Sequence, residues 1–201
     1  SVTAAGGLLG YWTFEDGSGT TTVDQSGHGL TGAFDNIATW GGPAWTNSPL
    51  GTNCLWFDGV NDRVNLGNPA SLQMTGAMTL SAWVNVRSFN TSGRIVTKGG
   101  NSGSRGWSLN VESSNRSAAF QVASSSAGLV TVATAGAIAS NQWIHLCGVF
   151  EPGTAMRMYT NGSLNNQVTA AVPDAQYANS LNVTIGARPV ASTSNPDNPF
   201  N

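Results

Sequence analysis

No stretch of this chain holds apolar residues at helical spacing for ten residues, whereas residues 54–67, CLWFDGVNDRVNLG, alternate with a period of two. Leu55 and Phe57 alternate with Cys54 and Trp56, and beyond a polar turn Val64 and Leu66 alternate with Arg63, Asn65 and Gly67. Successive side chains of an extended strand point to opposite faces, so the pattern belongs to strands with one buried face. Between them, Asp58-Gly59-Val60-Asn61-Asp62 has turn chemistry, because Asp and Asn bond their own backbone and Gly59 can supply a positive φ. The segment reads as a hairpin with Leu55, Phe57, Val64 and Leu66 packing inward.

The same period recurs along the chain. Strands are predicted at Leu8–Glu15, Thr21–Val23, Leu30–Phe34, Met78–Val86, Gly93–Thr97, Gly106–Val111, Ala118–Ala123, Gln142–Phe150, Arg157–Tyr159 and Leu181–Gly186. In Met78–Val86, Leu80, Ala82, Val84 and Val86 share one face, and Thr79, Ser81, Trp83 and Asn85 the other. Asn68–Leu72 suits one helical turn, and Asn161-Gly162 a two-residue hairpin turn. Asp35–Asn53 reads as a long loop carrying Trp40 and Trp45. Short strands with Gly-rich turns and no helices predict an all-β, antiparallel two-sheet sandwich of jelly-roll type, with residues 1–201 as one domain.

Composition narrows the partners. Charged residues are 9% of the chain, against about 25% in an average soluble domain, so the surface is built of Ser, Thr, Asn, Gln and Gly, as suits an extracellular protein. Eight basic residues against ten acidic ones, a net charge of -2, give no electrostatic footprint for nucleic acid. No apolar run approaches the roughly 18 residues that span a bilayer, so no membrane insertion is expected. Ser1-Val2-Thr3-Ala4-Ala5 lacks the charged start of a signal peptide, which reads as a mature chain. The two cysteines, Cys54 and Cys147, have no zinc-ligand spacing. Both fall in predicted strands, either as small buried hydrophobes or, if those strands are neighbours, as a disulfide.

Catalysis finds little support. Glycoside hydrolysis with retention needs two carboxyls about 5–5.5 Å apart, which alternate positions on a strand would supply. Glu15, Glu112 and Glu151 each lack a second acid two residues away. No Gly-x-Ser-x-Gly elbow, phosphate loop or dinucleotide fingerprint is present. A non-catalytic chain is expected.

Two loops could hold a hard cation. At 24–29, Asp24 offers a carboxylate, Ser26 a hydroxyl and Gly27 and Gly29 carbonyls, while His28 would contribute its carbonyl rather than its ring. The alternative is that Asp24 and Ser26 satisfy turn amides. At 58–62, Asp58, Asn61 and Asp62 could ligate an ion, or cap backbone groups and pair with a base such as Arg63. Among the aromatics, Trp12, Trp56, Trp83 and Trp143 lie in strands and suit packing. Trp40, Trp45 and Trp107 lie in or near loops, where a ring either stacks on a sugar or plugs an end of the sandwich. His145 alternates with Cys147 and Val149 and reads as a hydrogen-bonded sheet residue.

Five segments in order, GYWTFEDGSGTTTVDQSGHGLTG, LWFDGVNDRVNLG, MTLSAWVNV, NQWIHLCGVFEPGTAMRMYTNGSL and LNVTIGARP, resemble the laminin G-like family of concanavalin A-like jelly rolls, in the form common in bacterial secreted proteins. The resemblance implies a two-sheet sandwich, binding of a glycan or another extracellular protein, and often one structural calcium. It implies a secreted or cell-surface, bacterial setting. Members of the family continue past a segment like Asn198-Pro199-Phe200-Asn201 into a further strand, whereas this sequence stops at Asn201. Either the terminus is clipped, or a sheet lacks its C-terminal strand and another segment fills the place, which would support self-assembly into an extracellular fibre or surface layer.

Overall fold

The computed structural model describes residues 7–35, 51–100, 104–126, 128–189 and 199–200, together with the backbone of 44–46. Its strands in chain order are β1 (Thr21–Thr22), β2 (Gly32–Asp35), β3 (Ala44–Thr46), β4 (Cys54–Trp56), β5 (Arg63–Asn65), β6 (Met78–Asn85) and β7 (Gly93–Lys98), then β8 (Trp107–Glu112), β9 (Ser117–Ala123), β10 (Leu129–Ala133), β11 (Trp143–Glu151), β12 (Ala155–Thr160), β13 (Ser163–Val168) and β14 (Thr184–Gly186). The predicted helical turn is a 3-10 turn at Ala70–Leu72. An eight-stranded sheet in the order β1-β2-β5-β14-β7-β8-β9-β10 stacks on a four-stranded sheet, β13-β12-β11-β6, and β3 pairs with β4 alone. The all-β two-sheet architecture is the one the alternation demands.

Register shows why the sandwich closes. Paired residues follow one another across the large sheet as Phe34, Val64, Ile185, Val96, Leu109, Phe120 and Val132. This apolar row faces the second sheet, whose Leu146, Phe150, Met156 and Met158 complete the core with no more than trace exposure. Phe57 meets Phe200 edge-on at 6.2 Å between centroids, closing one end.

Several boundaries differ from the sequence reading. Leu8–Glu15 makes only a single bridge, Trp12 to Asp24, because the chain there is held by side chains: the Trp12 indole N–H donates to the Leu30 carbonyl, and Glu15 accepts the N–H groups of Thr52 and Asn53. The long loop contains strand β3, and β10 arises where no strand was predicted. Asn161 and Gly162, at φ 49 and 82, make the expected turn between β12 and β13.

The segment 54–67 is not a hairpin. Its first arm pairs with β3, and its second with β2 and β14 in the large sheet. The turn passes from one sheet to the other, so the two alternating arms share a buried side without sharing hydrogen bonds. Phe57, Val64 and Leu66 are buried as expected, and Leu55 is half-buried.

Candidate functional site

Strand pairing also defines the face of the large sheet turned away from the core. Across all eight strands the residues in register are Thr21, Ala33, Asn65, Thr184, Thr97, Ser108, Gln121 and Thr131. Seven of these carry hydroxyls or amides, and the line is unbroken from Asn65 to Thr131. One position along, Asp35 opposes Arg63, and Arg94 opposes Asn110. A register shift between Arg94 and Val96 puts Arg94 on this face; without the bulge, strict alternation would turn it inward. The floor is buried, with Arg63, Arg94, Thr97, Ser108, Asn110 and Thr184 all below a tenth exposed, while Asn65, Gln121, Leu181, Asn182 and Arg188 form a half-exposed rim.

Two recesses open on this face. The larger, about 200 Å³, is lined by Arg63, Asn65, Ser180, Leu181, Asn182, Thr184 and Pro189. There Arg63 Nε donates to Asp35 Oδ2 at 2.7 Å, whereas its Nη1 is buried without a hydrogen-bond partner. The Asn65 amide is held between Asp35, Gly67 and Asn182. A smaller recess, about 20 Å³, lies against Arg94, Arg105, Arg188, Thr97, Ser108 and Gln121. Hydroxyls, amides and guanidinium groups on a rigid sheet can take the hydroxyls of a polar ligand without first being ordered.

The residues singled out in the sequence fall elsewhere. Trp107 is 3% exposed and belongs to the core with Leu109 and Val111, so its ring cannot serve as a sugar platform. Its place in the alternation of β8 carried that signal. Trp40 and the side chain of Trp45 lie outside the described residues. The exposed tryptophans among the described residues are Trp56 and Trp83, at 42% and 52%. Trp56 lies under Arg87 at 5.0 Å, and Trp83 beside His145 at 5.3 Å. The polar face was missed because its members are far apart in the chain.

At the 24–29 loop, Asp24 is a hub for donors. Its Oδ1 accepts the N–H groups of Tyr11 and Ser26, each at 2.9 Å, and its Oδ2 accepts the Leu30 N–H at 3.0 Å and the Ser26 hydroxyl at 2.8 Å. Burial pushes its pKa up, but these four bonds outweigh it and hold the carboxyl at about 2. His28 Nδ1 lies 3.1 Å from the Ser26 hydroxyl. This arrangement fits the turn-amide role. It does not fit calcium, which would have to displace donors from both oxygens. At 58–62, Asp62 accepts the Asp58 N–H and Asp58 the Val60 N–H, while Arg63 turns to Asp35 instead of the acids beside it. No cluster of three or more His, Cys, Asp or Glu occurs among the described residues.

Cys54 lies on β4 and Cys147 on β11, strands that are not neighbours, and no disulfide joins them. Burial raises both thiols, with the Glu15 charge adding to the effect at Cys54. The glutamates are engaged singly: Glu15 with backbone amides, Glu112 with Ser92 and Asn110, and Glu151 with Arg157 at 2.7 Å. No helix among the described residues is long and apolar enough to cross a membrane.

Residues 58–201 match the family model described as the concanavalin A-like lectin/glucanases superfamily. No curated protein matches the chain. Among solved structures, the binding domain of Paraclostridial Mosquitocidal Protein 1 is similar, with a TM-score of 0.71 and 13% identity over 94% of this chain and 46% of that one. The botulinum neurotoxin serotype D ligand binding domain in complex with N-acetylneuraminic acid matches with a TM-score of 0.63 and 13% identity, over 90% of this chain and 41% of that one. The binding domain of botulinum neurotoxin DC in complex with rat synaptotagmin II gives 0.56 and 13%, over 87% and 43%. The chain spans less than half the length of each. At these identities the likeness establishes the fold.

Proposed function

The chain belongs to the concanavalin A-like lectin/glucanases superfamily, and on that premise we propose that it is a non-catalytic, extracellular binding module whose ligand is a glycan lying across the outer face of the eight-stranded sheet. The observation that carries this reading is the polar row Asn65, Thr184, Thr97, Ser108, Gln121 and Thr131, with recesses opening onto it. A sugar's hydroxyls can meet the accessible members of that row, Asn65, Gln121 and Thr131, while Thr184, Thr97 and Ser108 form its buried base. Partners of known structures with the same sandwich, N-acetylneuraminic acid in one and synaptotagmin in another, make a glycan or a protein surface the two ligand classes to test. Stacking on Trp40 or Trp45 is a further contribution within this reading. A bacterial origin and a secreted or cell-surface setting belong to the same proposal.

A glycan array tests it, with Gln121→Ala and Asn182→Ala as face variants and Trp40→Ala and Trp45→Ala as loop variants. The face variants should weaken binding several-fold; Gln121→Ala also removes an acceptor from Arg94 and Ser108, so Asn182→Ala is the one expected to leave the melting temperature little changed. Glycan binding that survives both face substitutions would remove the site.

One observation favours a second reading, a subunit that assembles by strand addition. Strand β6 pairs with β11 along one edge and has no strand partner on the other among the described residues. Its inward Leu80 and Ala82 are only half-buried, as expected where a neighbouring strand is absent. Light scattering decides: a monodisperse monomer at high concentration would sink it.

A further inference from the structure

We propose that Arg94, Arg105 and Arg188 form a subsite for a carboxylate, so that the glycan taken by the polar face is an acidic one; this rests on the glycan-binding reading above. The three residues lie against one recess of about 20 Å³. They reach it from separate parts of the chain: Arg94 from the bulge of β7, Arg105 from the loop before β8, and Arg188 from just beyond β14.

Arg94 is 5% exposed, yet its contacts do little to neutralise it. Its Nη1 donates to Gln121 Oε1 at 3.3 Å and to Ser108 Oγ at 3.5 Å, both long and both to neutral groups. Its Nε is buried with no partner, as is the Nε of Arg105. Two of the arginines that line the recess thus each carry an unsatisfied donor. A buried donor without an acceptor carries a desolvation penalty that a ligand oxygen can remove. The charges compound the need. Burial above all, with the charges of Arg188 and Arg105 in the same sense and Glu112 in the opposite one, lowers the Arg94 pKa to about 10. The group therefore remains cationic at neutral pH, beside two others of the same sign.

The shape of the recess selects the anion. A space of about 20 Å³ holds about one water molecule, so one carboxylate oxygen can enter while the rest of the group and the sugar ring stay at the mouth. A guanidinium presents its N–H groups as a planar fork matched to the two oxygens of a carboxylate. With the carboxylate oxygen seated at the recess, the ring would rest against the half-exposed Gln121 and Arg188, above the buried Thr97 and Ser108.

The test is a glycan array carrying carboxylated, sulfated and neutral glycans, probed with the wild-type chain and with Arg105→Gln and Arg188→Gln. Both arginines are half-buried, and unchanged melting temperatures would show that the variants fold. The expected result is a preference for uronate- or sialate-bearing glycans over their neutral counterparts, weakened about tenfold or more in Arg105→Gln. Preference for neutral or sulfated glycans, or acidic binding unchanged in both variants, would overturn the carboxylate subsite and leave the glycan reading in place. Absence of binding to every glycan class would overturn both.

Discussion

Gly148 on β11 lies directly under the ring of Phe120 on β9, so close that a β-carbon at position 148 would come within 2.3 Å of the Phe120 Cγ. Phe120 is fully buried and belongs to the apolar row of the large sheet, while Gly148 pairs with Leu80 and Met158 in the small one. The missing side chain is what allows the sheets to meet at this point. Gly148→Ala should lower stability by about 1–3 kcal/mol through overpacking. Urea denaturation measures it, and the added change Phe120→Leu should restore part of the loss. Additive effects of the two substitutions would contradict the contact.

Asp24 gathers three backbone amides and a hydroxyl from segments as far apart as Tyr11 and Leu30. Asp24→Ala strands those donors and should cost at least about 2 kcal/mol. Because the carboxylate is saturated by donors, exhaustive chelation should leave the melting curve of the wild-type chain unchanged. A melting temperature that falls with chelator and returns with calcium would show that an ion competes for the carboxylate.

Asp62 and Asp24 titrate in opposite senses. Burial and the neighbouring Asp58 charge raise Asp62 to about 6, although the Asp58 N–H pulls the other way. Its contribution is fully present below its unfolded value of 3.8 and is lost as pH rises through about 6. For Asp24, held at about 2, stability is present above 3.8 and is lost as pH falls through about 2. Asp62→Asn keeps an oxygen for the Asp58 N–H and should flatten the stability profile between pH 4 and 6, by about 1 kcal/mol or more. An unaltered profile would show that Asp62 is not the group responsible.

Cys54 and Cys147 lie on strands in different sheets, and burial raises both thiols. Reducing agent should therefore leave the melting temperature unchanged, and alkylation at neutral pH should be slow until the chain is unfolded. A drop in melting temperature on reduction would reveal a disulfide.

Which residues point inward was legible wherever a strand was long enough to show its period. Leu80, Ala82 and Val84 share the inner side of β6 as read, with Val86 buried just beyond its end, and Leu109 and Val111 show that Trp107 had to be read with them. One error fell where side chains, not ladders, hold the chain. Leu8–Glu15 alternates like a strand but is fixed by Asp24 and by the Leu30 carbonyl. β10 pairs with β9 in the large sheet, where its neighbour's partners supply what its own pattern does not announce.

By itself the sequence determined the class of fold and the inward face of most strands, because the two-residue period is set by local backbone geometry and by the cost of exposing apolar side chains. Only the tertiary structure decided which strands are neighbours, since a ladder bond looks the same from any partner and the choice depends on contacts distant in the chain. That decision sent the two arms of 54–67 into different sheets. It also brought Asn65, Thr97, Ser108, Gln121 and Thr184 into one row and gathered Arg94, Arg105 and Arg188 around one recess.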